Sequence, residues 1–298
     1  MHPETSIVKL DSISFDKLMA QQDPFQGEEC RIDLSGVRMI TPAALVQLAV
    51  VCYALEEKAR QPIIILDDSS VSTYLARAGF LAAVRPVAHI EPPLFAGFDY
   101  ERLRGSNPML IEVSKIETGS DLPPLLDHIV SVLRKRLKYP KYDAFDVATA
   151  ISEVCQNTFD HNHETCGFIA MQGYGKGSKR FLEIGVGDYG NGLAETLRRN
   201  PKNPEIASDI EAIGVATKLG TSEHDDPTRG TGLYHLLEIT YKHEGAVQIR
   251  SGAGKVRYRM DKRQGWTFSV PYVPGVQIAL DLGTKSGRNR KKILDSAK

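Results

Sequence analysis

The chain has 298 residues, which is enough for one large hydrophobic core or two ordinary ones. Hydrophobic residues make up 42% of it, and 37 basic and 37 acidic side chains leave a formal net charge of +0. This composition is typical of a soluble globular protein, and the balanced charge provides no drive toward nucleic acid or an anionic membrane. The longest apolar run, residues 45–55, is about half the ~20 residues of a membrane span, so we expect a buried helix there.

The cellular location is indicated by the N-terminus and by the cysteines. Residues 1–4 lack the basic flank and apolar segment of a signal peptide. The four cysteines have scattered spacings that match no disulfide framework or common zinc pattern. We therefore expect buried, reduced thiols and a cytoplasmic protein.

The first ~85 residues alternate strand and helix signals. Residues 30–34 form a short strand candidate, and a helix is predicted from Pro42 through residue 55, with proline at a tolerated first-turn position. The β-branched run 62–66 is typical of a buried strand, and a helix is expected from Ser69 or Ser70 to near residue 79. This order predicts a small α/β domain, residues 1–90, with a partly parallel sheet.

The same stretch resembles the STAS domain, the fold of bacterial anti-sigma-factor antagonists, over most of residues 8–85. The resemblance is carried by residues 32–37, 40–48, 63–66 and 71–79. Such antagonists usually carry a phosphorylatable serine in an Asp-Ser-Ser-Gly turn before the long helix. Here the acceptor position falls on Ala43, and Thr41 is one step out of register. We expect Thr41 to cap the helix and expect no phosphorylation switch inside this domain.

Residues 91–106 are rich in proline and are predicted to be a linker. A second domain is predicted over residues 107–283, and the basic residues 284–298 are predicted to form a disordered tail. Nucleic-acid binding by that tail is not expected. The elements predicted in the second domain are a strand at 108–113, helices at 122–137 and 143–161, strands at 167–172 and 181–186, a helix at 209–219, and strands at 246–251, 255–260, 266–270 and 276–282.

The helix at 143–161 has two chemically different faces. Its apolar residues follow helical spacing on one side, where they would pack on a sheet. Glu153 and Asn157 lie opposite, and His161 lies at the edge of the same polar face. A carboxamide oxygen is a hard ligand suited to Mg²⁺, which usually keeps waters and phosphates as its other ligands. A carboxylate one turn earlier can accept a proton from a nucleophile that attacks a terminal phosphate.

Two glycine-containing turns follow this helix. In the first, Asp188 stands at a strand end before Gly190 and Gly192, where its carboxylate can accept a hydrogen bond from the adenine amine. In the second, residues 229–233 open an apolar helix, and a helix start with free backbone N–H groups favours phosphate.

In this order and spacing, the motifs resemble those of the GHKL ATPases, the family of gyrase, histidine kinases, MutL-type repair proteins and anti-sigma kinases. The resemblance covers about residues 107–283 and implies a Bergerat fold, a mostly antiparallel sheet backed by helices with ATP beneath a mobile lid. It implies that Glu153 is the general base, that Asn157 binds Mg²⁺ and that Asp188 recognises adenine. The remaining residues assigned to ATP are His161, Gly190, Gly192, Lys218, Thr221, Arg229, Gly230, Thr231, Gly232, Leu233 and Thr267.

Three of these assignments leave alternatives open. The lid is expected at 193–228, where Lys218 and Thr221 are either phosphate ligands or solvated side chains. The family often has a Gly-Thr pair opening a late strand. Either residues 265–267, which contain Thr267, or residues 274–276 correspond to that pair.

The fold class expected is therefore α/β with two domains, a STAS-like domain followed by a Bergerat-fold α+β sandwich. The expected function is a regulatory protein that binds and hydrolyses Mg-ATP and uses lid closure to control a protein partner. The alternatives are a protein serine/threonine kinase of the anti-sigma type and a non-catalytic, ATP-dependent binding module. Many relatives dimerise, and a homodimer is compatible with the resemblance.

Overall fold

The structure is a computed structural model that describes residues 7–26, 29–67, 70–92, 110–160, 166–175, 180–203, 205–218, 231–259 and 264–283. The elements before residue 93 are β1 Lys9–Leu10, α1 Ser14–Gln22, β2 Arg31–Asp33, β3 Met39–Ile40, α2 Pro42–Glu56, β4 Ile63–Ile65, α3 Ser70–Arg77, α4 Phe80–Val84 and β5 His89–Glu91. The elements after residue 109 are β6 Leu110–Ile116, α5 Leu122–Lys135, α6 Lys141–Asp160, β7 Gly167–Tyr174, β8 Phe181–Asp188, α7 Leu193–Arg198, α8 Asp209–Ala216, α9 Gly232–Lys242, β9 Ala246–Arg259 and β10 Gln264–Gly283.

The N-terminal segment contains a three-stranded sheet in the order β2-β4-β5 with both pairs parallel, as predicted from the alternation of strands and helices. Its long helix α2 is buried along its whole length except at Glu56. A helix that is apolar on all sides needs apolar partners on all sides. The N-terminal segment supplies some of these partners and the second half of the chain supplies the rest.

The second half of the chain forms a five-stranded sheet in the order β6-β7-β8-β10-β9, with every neighbouring pair antiparallel. Four strands predicted separately between residues 246 and 282 form only two, β9 and β10. Gly252 and Gly275 have positive φ, at 56° and 76°, and lie close to the two register shifts of this hairpin. Glycine permits that backbone without strain, so the strands continue through irregularities that looked like ends in the sequence.

Both faces of the five-stranded sheet are covered. One face packs with α5, α6 and α9 in a single hydrophobic cluster. The other face contributes Val113, Phe168, Ala170 and Val273 to the cluster that also contains α2 and the N-terminal segment. The chain is therefore a mixed α/β protein in which the N-terminal segment shares a core with the sheet, and the predicted two-domain division stays a prediction.

The N-terminus of α2 lies directly on β8. The amide of Ala43 donates to Oε1 of Glu183 at 3.3 Å. Thr41 occupies the position before the helix, as expected, but its hydroxyl makes no capping hydrogen bond. Both Thr41 and Ala43 are only 2% exposed, so both residues face the protein interior.

Two further expectations concern the thiols and the membrane. All four cysteines are buried and free, as predicted. Within the described part of the chain, every helix is too short or too polar to cross a membrane.

Candidate functional site

Strand β8 directs its side chains alternately to the two faces of the sheet. Leu182, Ile184 and Val186 point into the cluster formed with α5, α6 and α9. Gly187, in contrast, faces α2, because a Cβ built on it would lie 3.1 Å from the side chain of Val46. Successive side chains of a strand alternate between faces. Asp188 therefore points to the same face as Leu182, Ile184 and Val186. This face is covered by α6, which contains Glu153 and Asn157, and by α9, which begins at Gly232.

Asp188 is held by backbone groups at the end of β8. It is 5% exposed, and its Oδ1 accepts a hydrogen bond from the amide of Gly190 at 3.0 Å. Gln277 donates to the Asp188 carbonyl at 3.2 Å from the neighbouring strand. Burial raises the pKa of Asp188 to about 7, although backbone hydrogen bonds from Gly190 and Val276 lower it. The carboxyl is thus buried at the point where the sequence predicts the adenine contact.

Gly275 lies against Asp188, in one of the two segments that the sequence left as alternatives. A Cβ on Gly275 would stand 2.1 Å from the Asp188 carbonyl oxygen, so only glycine fits. Thr267, in contrast, is exposed and pairs with Val256 in the part of the β9–β10 hairpin that extends beyond β8. The structure therefore brings residues 274–276 to Asp188 and does not bring Thr267 there.

Helices α6 and α9 pack antiparallel to each other. Near the start of α6 and the end of α9, Lys242 forms ion pairs with Asp143 at 2.9 Å and with Asp146 at 3.1 Å. Near the end of α6 and the start of α9, a Cβ on Gly232 would lie 3.2 Å from Cβ of Glu153 and 3.5 Å from Nδ2 of Asn157. The second glycine turn therefore meets the polar face of α6 at both predicted residues.

Glu153 is the centre of the contacts between these two helices. Its Oε2 lies 3.1 Å from Nδ1 of His235 and 3.5 Å from Oγ1 of Thr231. Glu153 is half-buried, while Asn157 is exposed at the next turn of α6. The predicted base and the predicted magnesium ligand thus lie side by side at the N-terminus of α9. His235 was not singled out from the sequence, because nothing in its spacing relates it to Glu153.

Helix α6 and the end of β8 lie on the same face of the sheet. Helix α6 ends at Asp160, and β7 begins at Gly167, which pairs directly with Asp188. Because α9 begins against the last turns of α6, Gly232 and the Asn157 carboxamide are also on this face. That one site combines the three motifs stays a prediction.

The first glycine turn packs tightly on β9. Gly192 precedes α7, and a Cβ on it would lie 2.9 Å from Oγ of Ser251. That hydroxyl accepts a hydrogen bond from the amide of Leu193 at 2.8 Å, which satisfies a free donor of the first turn of α7. Ser251 is fully buried and was missed in the sequence, where it reads as one residue of a strand.

Part of the segment predicted to be a lid is packed against the rest of the protein. Helices α7 and α8 fall within residues 193–228, and both bury apolar side chains in the cluster shared with α6. In addition, Asp209 at the start of α8 accepts a hydrogen bond from the amide of Ala253 at 2.8 Å. The rest of the predicted lid, residues 219–228, lies outside the described residues.

Several predicted ligands remain outside the described site. Lys218 is exposed just after α8, next to Thr217, whose hydroxyl lies 3.4 Å from that of Tyr258. Leu233 is buried in the helix cluster, so its side chain supports α9 and does not face solvent. The remaining predicted ligands, His161, Thr221, Arg229 and Gly230, lie outside the described residues.

A magnesium ion fits the donors that are present. The described residues contain no group of three or more His, Cys, Asp or Glu side chains able to hold a metal by themselves. Mg²⁺ usually binds through one or two protein oxygens together with phosphates and waters. The exposed carboxamide of Asn157, beside a helix N-terminus that favours phosphate, matches that mode of binding.

Comparison with known proteins adds no assignment. No protein-family model matches the sequence, and no curated protein matches it either. The resemblances to GHKL ATPases and STAS domains therefore rest on the motifs and are developed below as a proposal.

Proposed function

We propose that the protein binds Mg-ATP between the end of β8 and the start of α9 and hydrolyses it, as a GHKL-type ATPase does. In this proposal, Asp188 accepts the adenine amine, Asn157 binds Mg²⁺, and Glu153 accepts a proton from the attacking water. The backbone N–H groups around Thr231 and Gly232 bind phosphate. A protein partner would respond to closure of the predicted lid over the nucleotide.

The observation that carries the proposal is the contact between the two helices. Gly232 lies close to both residues, since a Cβ on it would stand 3.2 Å from Cβ of Glu153 and 3.5 Å from Nδ2 of Asn157. This approach brings a helix N-terminus, a carboxylate and a carboxamide together, a set of groups that phosphoryl transfer from Mg-ATP can use. A buried carboxyl at Asp188 on the same face supplies a recognition group for the base.

The finer description of the fold belongs to the same proposal. We infer that β6–β10 with α5, α6 and α9 form a Bergerat-type sandwich and that the N-terminal segment is a STAS-like module docked on its other face. The antiparallel sheet with helices on one face and the parallel β2-β4-β5 sheet support this description. The buried Ala43 also indicates that any phosphoacceptor of a kinase activity would belong to a partner.

Calorimetric titration with Mg-ATP and with Mg-ADP, followed by a phosphate-release assay, tests the proposal. We expect ATP binding, slow phosphate release, and a Glu153→Ala variant that binds ATP without turning it over. Transfer of labelled phosphate to a partner protein would favour the kinase alternative. Binding without turnover, with full function in Glu153→Ala, would favour the non-catalytic module.

Replacement of Asp188 by asparagine tests the adenine contact. A hydrogen bond to a charged group is worth about 1.5–3 kcal/mol, so Asp188→Asn should weaken ATP binding by roughly 10- to 100-fold. Asp127→Asn, on an exposed position of α5, is the matched control and should bind ATP like the wild type. Equal affinity of Asp188→Asn and the wild type would remove the adenine assignment.

A further inference from the structure

We propose that His235 is a positioning residue that orients the carboxylate of Glu153 for proton transfer, an inference that rests on the proposed function. The two residues lie 82 positions apart in the chain and come together only through the packing of α9 on α6. His235 Nδ1 is 3.1 Å from Glu153 Oε2, within hydrogen-bonding distance.

The direction of this hydrogen bond follows from the chemistry of the two groups. An ionised carboxylate only accepts hydrogen bonds, so Nδ1 of His235 carries the proton and donates it. Thr231 approaches the same carboxylate oxygen at 3.5 Å, a weaker contact on the same side. Both described contacts thus involve Oε2, and Oε1 is the oxygen that remains to receive a proton.

The backbone holds His235 where this contact can form. His235 lies one turn into α9, and its amide donates to the Thr231 carbonyl at 2.8 Å, so the turn that precedes it is helical. Helix α9 approaches α6 closely at Gly232, where a Cβ would lie 3.2 Å from Cβ of Glu153. The imidazole therefore reaches the end of the glutamate from a second, rigid helix.

The reaction step defines what this orientation does. An oxygen of water bonds to the γ-phosphorus of ATP and its proton passes to Oε1 of Glu153. The bond between the γ-phosphorus and the bridging oxygen breaks, and ADP leaves with the electron pair. A carboxylate that rotates freely spends part of the time with the wrong oxygen or lone pair toward the water. A fixed hydrogen bond to Oε2 keeps Oε1 in the orientation that accepts the proton.

The exposure of the pair argues against a mainly structural role. The side chains of His235 and Glu153 are 44% and 30% exposed. Pairs this exposed contribute little to folding. We therefore expect His235 variants to fold like the wild type and to differ from it in turnover.

The experiment compares His235→Ala and His235→Asn in the full chain, with His89→Ala, at an exposed position of β5, as the control. The amide nitrogen of asparagine lies near the place of Nδ1, so His235→Asn retains the donor. We expect His235→Ala to lower kcat by about 10- to 100-fold while KM and the Kd for Mg-ATP stay within about twofold. His235→Asn should recover most of the loss.

Two results would overturn the proposal. One is a kcat of His235→Ala that stays within about twofold of the wild type. The other is a His235→Asn variant as slow as His235→Ala, since that result would assign the effect to the other ring nitrogen. Unfolding midpoints of all three variants show whether a loss of turnover reflects a loss of folding.

A second measurement separates this inference from the proposed function. The ¹⁵N signals of the His235 ring report its tautomer in the nucleotide-free protein. We expect the Nδ1–H form in the wild type and its loss in Glu153→Ala; an Nε2–H form in the wild type would overturn the pairing. A wild type with the Nδ1–H form that binds no Mg-ATP would instead overturn the proposed function, and the positioning role with it.

Discussion

At the scale of single residues, Asp188 combines burial with a proposed role that requires charge. Desolvation favours the neutral carboxyl and raises its pKa to about 7. Two backbone amides oppose that shift without cancelling it. In the proposed site the adenine amine would be a further donor to the carboxylate, so nucleotide binding should lower this pKa and release a proton.

The pH dependence of ATP binding follows from this linkage. The ionised fraction of Asp188 falls as the pH drops below about 7, and the contact with adenine is weakened by protonation. We expect the affinity for ATP to fall by up to roughly tenfold between pH 8 and pH 6, measured by calorimetry in buffers of different ionisation enthalpy. Asp188→Asn should show a much smaller dependence over the same range.

The same shift predicts the pH dependence of stability, and its sign is opposite to that of an ordinary carboxylate. The folded pKa of Asp188, about 7, lies above the ordinary aspartate pKa of 3.8, so the folded state binds more protons between these values. The free energy of unfolding should therefore fall as the pH rises through that window. The difference in the free energy of unfolding between the wild type and Asp188→Asn isolates this contribution. A difference that stays constant from pH 4 to pH 7 would contradict the prediction.

At the scale of elements, the contact between β8 and α2 depends on the absence of side chains. A Cβ on Gly185 would lie 2.6 Å from Cα of Ala43, and backbone atoms cannot move aside as the end of a flexible side chain can. We expect Gly185→Ala to lower the free energy of unfolding by about 1–3 kcal/mol, measured by denaturant titration. An unchanged free energy would show that α2 does not pack on this strand.

Gly214 supplies the matched control. It lies inside α8, and a Cβ on it would meet no other atom within 4 Å. Because alanine is a better helix former than glycine, Gly214→Ala should raise the free energy of unfolding by about 0.5–1 kcal/mol. Opposite effects of the same chemical change in the two elements would identify the close approach as the cause.

The sequence predicts most of these elements but not their partners. Helices α2, α5 and α6 appear close to their predicted bounds, because apolar spacing and proline at the first turn are local signals. The meeting of Gly232 with Glu153 was expected only through resemblance to a family. Ser251 and His235 were missed because their roles depend on neighbours far away in the chain, and Gly275 was predicted only as part of one of two alternatives.

At the scale of the whole molecule, a buried group of charges joins the N-terminal segment to the far edge of the sheet. Asp16 of α1 forms ion pairs with Arg250 and Lys255 of β9, and the side chains of both cations are almost completely buried. Arg250 also donates to the Pro271 carbonyl. One carboxylate therefore compensates two buried cations across the junction.

Removal of this carboxylate should be costly. Asp16→Ala leaves two buried cations without their counterion, and we expect the free energy of unfolding to fall by about 3–5 kcal/mol. Arg31→Ala breaks exposed pairs with Glu29 and Glu91 and should cost no more than about 1 kcal/mol. Similar losses in the two variants, measured by denaturant titration, would show that the junction does not stabilise the fold.

The alternation of side chains along β8 continues at Tyr189, whose ring lies 5.9 Å from that of Tyr53 in α2. A single strand thus separates the floor of the candidate nucleotide site from the N-terminal core. Insertion or deletion of one residue in β8 would rotate each side chain to the opposite surface. A change of register in β8 therefore disturbs the packing on both faces and requires compensating changes in both halves of the chain.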